Sequence, residues 1–278
     1  LERSADSLSI AAYTVDNDGT VIDSNPLYSG PNNVPLTGPD IACNDDGACL
    51  VVWGEVNGDN ATIQSARLAN GLHSPSTYRL TQGYPVTAPS VATDGTDFMV
   101  AWGMLTGPST RMQYDAYLVS GLGIKEGGDL IDVVSTDAGA IAIDWTDNSY
   151  IVVYTGGGNL NRMAVNANGS TTSGSSVVAA GGGWPQSDGR VRAPALAYEA
   201  ISGRTLIAYR DDSGRLAARI ATADGVGEAL PLVESGVDGQ DVSVFLSHDP
   251  KNSGWVLAWS AGGAAEYRAL EPTGDLRG

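Results

Sequence analysis

Five carboxylates fall at recurring places along the chain. Asp40, Asp144, Glu199, Asp241 and Asp249 all lie in or beside short runs of small apolar residues. Two such groups facing one another across a sugar can cleave a glycosidic bond, one as acid and the other as base or nucleophile. Most of the five sit at the ends of their runs, where a carboxylate can equally cap a turn, and no repeat-breaking cluster stands out among them. Ser247-His248-Asp249 holds the residue types of a nucleophilic triad. Consecutive residues on a strand point to alternating faces, so these three cannot converge as a triad must.

Other residues suit binding better than catalysis. Two loops carry an aromatic between glycine and proline, Gly83-Tyr84-Pro85 and Gly183-Trp184-Pro185, and the second runs on through Gln186, Asp188, Arg190 and Arg192. An aromatic plate beside planar polar groups engages sugar rings and protein hot spots, so Tyr84, Trp184, Arg190 and Arg192 are the expected ligand contacts. The competing reading packs both rings against the next repeat, since large aromatics are mostly buried. Asp16-Asn17-Asp18-Gly19 followed by Asp23 places oxygen donors around a tight turn, and Asp16, Asp18 and Asp23 would be the ligands of a calcium ion there. Asp and Asn are also the default turn residues, and Ala223-Asp224-Gly225 shows an ordinary turn at the matching place, so a turn without a cofactor is the expectation.

The elements that position these residues follow from a repeat. Five apolar runs end in an aromatic: Leu50-Val51-Val52-Trp53, Met99-Val100-Ala101-Trp102, Ile151-Val152-Val153-Tyr154, Leu206-Ile207-Ala208-Tyr209 and Val256-Leu257-Ala258-Trp259. The aromatics are 49, 52, 55 and 50 residues apart. A period of that length holding only strand-like segments predicts an all-β fold, a β-propeller, in which no blade can bury its faces without neighbours. Before each aromatic run lies a small-residue run suited to the crowded innermost strand: Asp40–Cys43, Ser90–Thr93, Ala140–Ile143, Ala195–Tyr198 and Val242–Phe245. After it comes an alternating third strand, such as Ile63–Leu68 or Leu216–Ile220, and then a turn glycine.

Those glycines, Gly19, Gly71, Gly121, Gly169, Gly225 and Gly274, count six third-strand turns against five aromatic runs. The extra turn belongs to the N-terminus, where Ile10–Val15 and Val21–Asp23 read as a third and fourth strand. The expected ring has five blades, spanning 37–87, 88–137, 138–190, 191–239 and 240–278, with residues 1–30 completing the last blade and closing one domain over 1–278. Six blades, with strands supplied by another chain or by residues outside this sequence, is the alternative.

Cys43 and Cys49 are the only cysteines and face one another across the first hairpin. Facing positions bring Cα atoms within disulfide reach. A bridge is the expectation, over free thiols or a metal site, for which only His73 and His248 exist as imidazole ligands, in distant repeats. A bridge implies an oxidising compartment and hence a secreted or cell-surface protein. Pro39-Asp40-Ile41-Ala42-Cys43, Cys49-Leu50-Val51-Val52-Trp53 and Ala66-Arg67-Leu68 with its glycine turn resemble the repeat of secreted or surface-anchored bacterial β-propeller proteins. The resemblance implies fold and export and carries no catalytic residues.

Net charge of −17, with thirteen Arg and two Lys, excludes a polyanion-binding face, and no apolar run is long enough to span a bilayer. Nucleic acid and membrane insertion are therefore not expected. These features lead to an exported, non-enzymatic binding or assembly module with a glycan or protein surface as partner. The alternative is an extracellular carbohydrate-active enzyme with an axial carboxylate pocket.

Overall fold

The computed structural model describes residues 2–3, 7–16, 18–31, 36–57, 60–68, 76–83, 87–106, 111–121, 133–135, 139–171, 175–180, 194–211, 215–232, 243–248, 253–261 and 264–277. Among them are 22 strands and no helix, arranged as six antiparallel sheets. The chain forms two compact units, residues 1–133 and 134–278.

In the first unit, β1 (Glu2–Arg3), β2 (Ser7–Val15) and β3 (Val21–Pro31) make a three-stranded meander. A four-stranded meander follows, of β4 (Asp40–Cys43), β5 (Cys49–Asn57), β6 (Asn60–Leu68) and β7 (Ser76–Gly83). The next comprises β8 (Ser90–Thr93), β9 (Phe98–Thr106), β10 (Arg111–Val119) and, at the unit boundary, β11 (Val133–Ser135). The packing explains why β5 is apolar at consecutive positions. Val51 and Trp53 bury against Ile10 and Leu27 of the preceding sheet, while Leu50 and Val52 bury against Val91, Val100 and Trp102 of the following one. A strand covered on both faces has no polar side to show.

The second unit repeats the pattern. Its sheets are β12 (Ile141–Trp145), β13 (Tyr150–Gly156), β14 (Asn159–Val165) and β15 (Ser176–Ala180); β16 (Ala195–Glu199), β17 (Arg204–Arg210), β18 (Leu216–Thr222) and β19 (Gly225–Pro231); and β20 (Ser243–His248), β21 (Trp255–Ala261) and β22 (Ala264–Leu270). Here β17 is the doubly covered strand. Ile207 and Tyr209 meet Val153 and Val178, and Leu206 and Ala208 meet Trp255 and Leu257.

All five repeat aromatics are buried, none more than 6% exposed. Trp53, Trp102, Tyr154, Tyr209 and Trp259 stand at equivalent ladder positions, opposite Gln64, Asp115, Asn161, Ala217 and Glu266 of the third strands. Two inner strands run later than the sequence pattern places them. In the third repeat the strand extends to Trp145, with Asp144 opposite Ile151, and in the fifth it extends to His248, opposite Trp255. Neither run has the leading proline that marks the strand start in the other repeats, so the closing turn sets the register, as where Thr146 N donates to Ser149 O.

Cys43 and Cys49 pair across the first hairpin and are joined by a disulfide. The acidic segment at 16–20 is a side-chain-capped turn. Asp16 Oδ1 accepts the N–H groups of Asp18 and Thr20, and Gly19 takes the positive φ of 80° that the turn requires.

Candidate functional site

The inner strands carry the acidic groups, and their side chains make joints between sheets. Asp40 of β4 accepts two hydrogen bonds at Oδ2 from the neighbouring inner strand β8, from Ser90 Oγ and Val91 N, both at 2.9 Å. Its Oδ1 accepts Ile41 N. Asp144 of β12 does the same one repeat pair further along. Its Oδ2 accepts Tyr198 N of β16 at 2.7 Å and its Oδ1 accepts Trp145 N. Their ladder partners, Val52 and Ile151, stand one and three residues before the repeat aromatics, so strand alternation puts the two carboxylates on the same side of their strands. Inner strands of adjacent sheets share no backbone ladder, and these side chains take its place. Burial pushes the Asp40 carboxyl above its ordinary value, against the pull of the hydrogen bonds from Val91, Ser90 and Ile41.

At the turn end of the next inner strands, two residues meet that the sequence reading considered only separately. Glu199, the last residue of β16, is fully buried, and its oxygens accept Ile201 N at 3.0 Å and Ser202 N at 2.7 Å. Glu199 Oε1 also lies 3.6 Å from Nε2 of His248, the last residue of β20. That nitrogen is buried and has no hydrogen-bond partner among the described residues, while the imidazole as a whole keeps 29% of its surface exposed. Burial pushes Glu199 up, but the bonds from Ser202 and Ile201 and the nearby His248 outweigh it and hold the carboxyl below its ordinary value. A buried carboxylate facing an imidazole with an unsatisfied nitrogen is an arrangement that can hold and move a proton.

Beside this pair, Tyr198 donates its hydroxyl to Asp147 Oδ2 at 2.7 Å, and burial followed by that carboxylate pushes the phenol up to about 12. A cavity of about 430 Å³ opens between the sheets of β12–β15 and β16–β19, lined in part by Tyr198 and Arg162. Ser247 is exposed and its hydroxyl donates to the carbonyl of His248, away from any triad. Tyr84, Trp184, Arg190, Arg192, Asp241 and Asp249 lie outside the described residues. Arg162 went unnoticed in the sequence. Its signal was present, however, because the equivalent ladder positions hold Ser65, Ala116 and Ala218 in the other four-stranded sheets.

No protein-family model matches the chain, and no curated protein resembles it in sequence. Solved structures do share its shape. The α-L-arabinofuranosidase Arb93A from Fusarium graminearum, in complex with an iminosugar inhibitor, aligns with a TM-score of 0.58 at 11% identity, over 88% of this chain and 80% of that one. The GH43_1 enzyme from Xanthomonas citri complexed with xylose aligns with a TM-score of 0.52 at 13% identity, over 88% and 91%. The Dos1 propeller aligns with a TM-score of 0.55 at 10% identity, over 96% and 64%. Most of these similar structures are glycoside hydrolases, which corrects the expectation of a non-enzymatic binding or assembly module in favour of the enzyme alternative. At such low identity the likeness establishes the fold alone: an all-β chain with a β-propeller fold.

Proposed function

We propose that the chain is an exported glycoside hydrolase acting on a pentose-containing glycan. The observation that carries the reading is the Glu199–His248 pair, a buried carboxylate against a partly exposed imidazole at the turn ends of adjacent inner strands. Arabinofuranosidase and xylose-bound enzymes among the similar folds support the substrate class, and the Cys43–Cys49 disulfide supports export.

His248 is the group that reaches substrate, and Glu199 is a positioning residue that faces its Nε2 at 3.6 Å. Hydrolysis adds water across the glycosidic bond, with hydroxyl going to the anomeric carbon and a proton to the departing oxygen. His248 supplies or receives that proton.

The test uses chromogenic β-xylosides and α-arabinofuranosides with the wild type, His248→Asn and Glu199→Gln. The wild type should release chromophore, and His248→Asn should lower kcat by about 10²- to 10⁴-fold, the usual contribution of one proton-transfer group. Glu199→Gln should lower kcat less and shift its pH profile, which a purely structural carboxylate would not do. Equal rates for wild type and His248→Asn would refute the assignment.

A further inference from the structure

The acidic composition makes one half-buried cation conspicuous. Arg162 lies on β14, opposite Val153, at the ladder position where the other four-stranded sheets bury Ser65, Ala116 and Ala218. A large charged side chain in a place built for small ones is a departure from the repeat, and such departures are where a repeat scaffold acquires a site. Its Nε donates to Ser176 Oγ at 3.3 Å and its Nη1 to Thr222 O at 3.1 Å. A guanidinium has five N–H donors, and Nη2 has no partner among the described residues. No carboxylate pairs with Arg162 among the described residues either, although the chain carries 32 Asp and Glu against 15 Lys and Arg.

The surroundings of that cation are a container of ligand size. The cavity of about 430 Å³ between the two sheets lies within the range of small-molecule sites. Besides Arg162 it is lined by Tyr198, Thr146, Asn148, Ser149 and Thr205, and no Asp or Glu lines it among the described residues. Asp147, beside that lining in sequence, is held by the hydroxyl of Tyr198. Burial lowers the affinity of the Arg162 guanidinium for its proton.

We propose that this cavity is a subsite for a uronic acid residue, with Arg162 taking the sugar carboxylate and the hydroxyl and amide groups around it taking the ring hydroxyls. Arg is suited to this because its planar fork can meet a carboxylate with two parallel bonds. The sugar portion rests on the carbohydrate reading above, whereas the carboxylate portion rests on Arg162 alone. The deepened substrate is therefore a pentose glycan bearing acidic side groups.

Binding of D-glucuronate, its methyl ester, D-xylose and acetate to the intact protein, measured by calorimetry and ligand-observed NMR, separates these claims without any hydrolysis assay. Glucuronate should bind, and both the methyl ester and the Arg162→Gln variant should weaken binding about tenfold, as loss of a charge-assisted pair implies. Arg162→Lys should fall between. Methyl ester binding as tight as the acid, acetate binding as tight as glucuronate, or no glucuronate binding at all overturns the subsite. If Arg162→Gln does not fold, the ester comparison on the wild type still decides. A protein that binds glucuronate but releases no pentose keeps the subsite and loses the hydrolase.

Discussion

Asp40 and Asp144 each hold the next inner strand by its backbone N–H, and removing such an acceptor leaves a partly buried donor without a partner. Asp40→Ala should therefore cost about 1–3 kcal/mol in urea unfolding, and Asp40→Asn less, since an amide oxygen still accepts. The pH dependence distinguishes burial from bonding. Because burial raises the folded-state value of Asp40 above its ordinary 3.8, its contribution is fullest below that value and is lost as the pH rises through the folded value. Asp40→Asn should accordingly gain on the wild type as the pH is raised from about 4 to 7. An Asn variant that instead loses ground would mean that the hydrogen bonds outweigh burial. Glu199 has the opposite sign: its depressed value gives a contribution present above the ordinary carboxylate range and lost as the pH falls. The sequence marked all three carboxylates as lying on or near inner strands. It did not reveal their partners, because Val91, Tyr198 and His248 lie about one repeat away and only the stacking of sheets brings them into range.

Elements were the most legible level. Continuous apolar runs ending in an aromatic marked β5, β9, β13, β17 and β21, and the facing cysteines marked the first hairpin. For β5, β9, β13 and β17 the physical reason is double burial: a strand sandwiched between sheets cannot tolerate a polar face, so its composition alone identifies it. The inner strands β12 and β20 were less legible, since small residues continue past their true start and nothing but the turn fixes the register. Trp102 has no exposed surface and sits in an edge-to-face contact with Tyr117, 4.8 Å between ring centroids. Truncation to Ala should cost about 3–5 kcal/mol. Tyr154→Phe should cost only about 1 kcal/mol, because it removes the 2.7 Å hydrogen bond to Ser175 and leaves the ring in place. Chemical denaturation of both variants checks the pair. A Trp102→Ala variant as stable as Tyr154→Phe would mean that the sheets are not packed through these aromatics.

At the scale of the whole molecule, the fold was legible and the function was not. Repetition advertises a propeller because every blade solves the same burial problem, but a site is whatever departs from the repeat, and single departures such as Arg162 look like noise without the ladders that align them. The aromatic loop residues that looked most like a binding surface lie outside the described residues, whereas Glu199 and His248 were visible individually but not as a pair. The central claim is that this propeller breaks glycosidic bonds. The most direct measurement is a proton NMR time course of arabinoxylan with the purified protein, read at the anomeric signals. The account predicts that free reducing pentose signals grow with time in the wild type and grow far more slowly with His248→Asn; polymer signals that stay unchanged in the wild type, or that decay equally in both proteins, would contradict it.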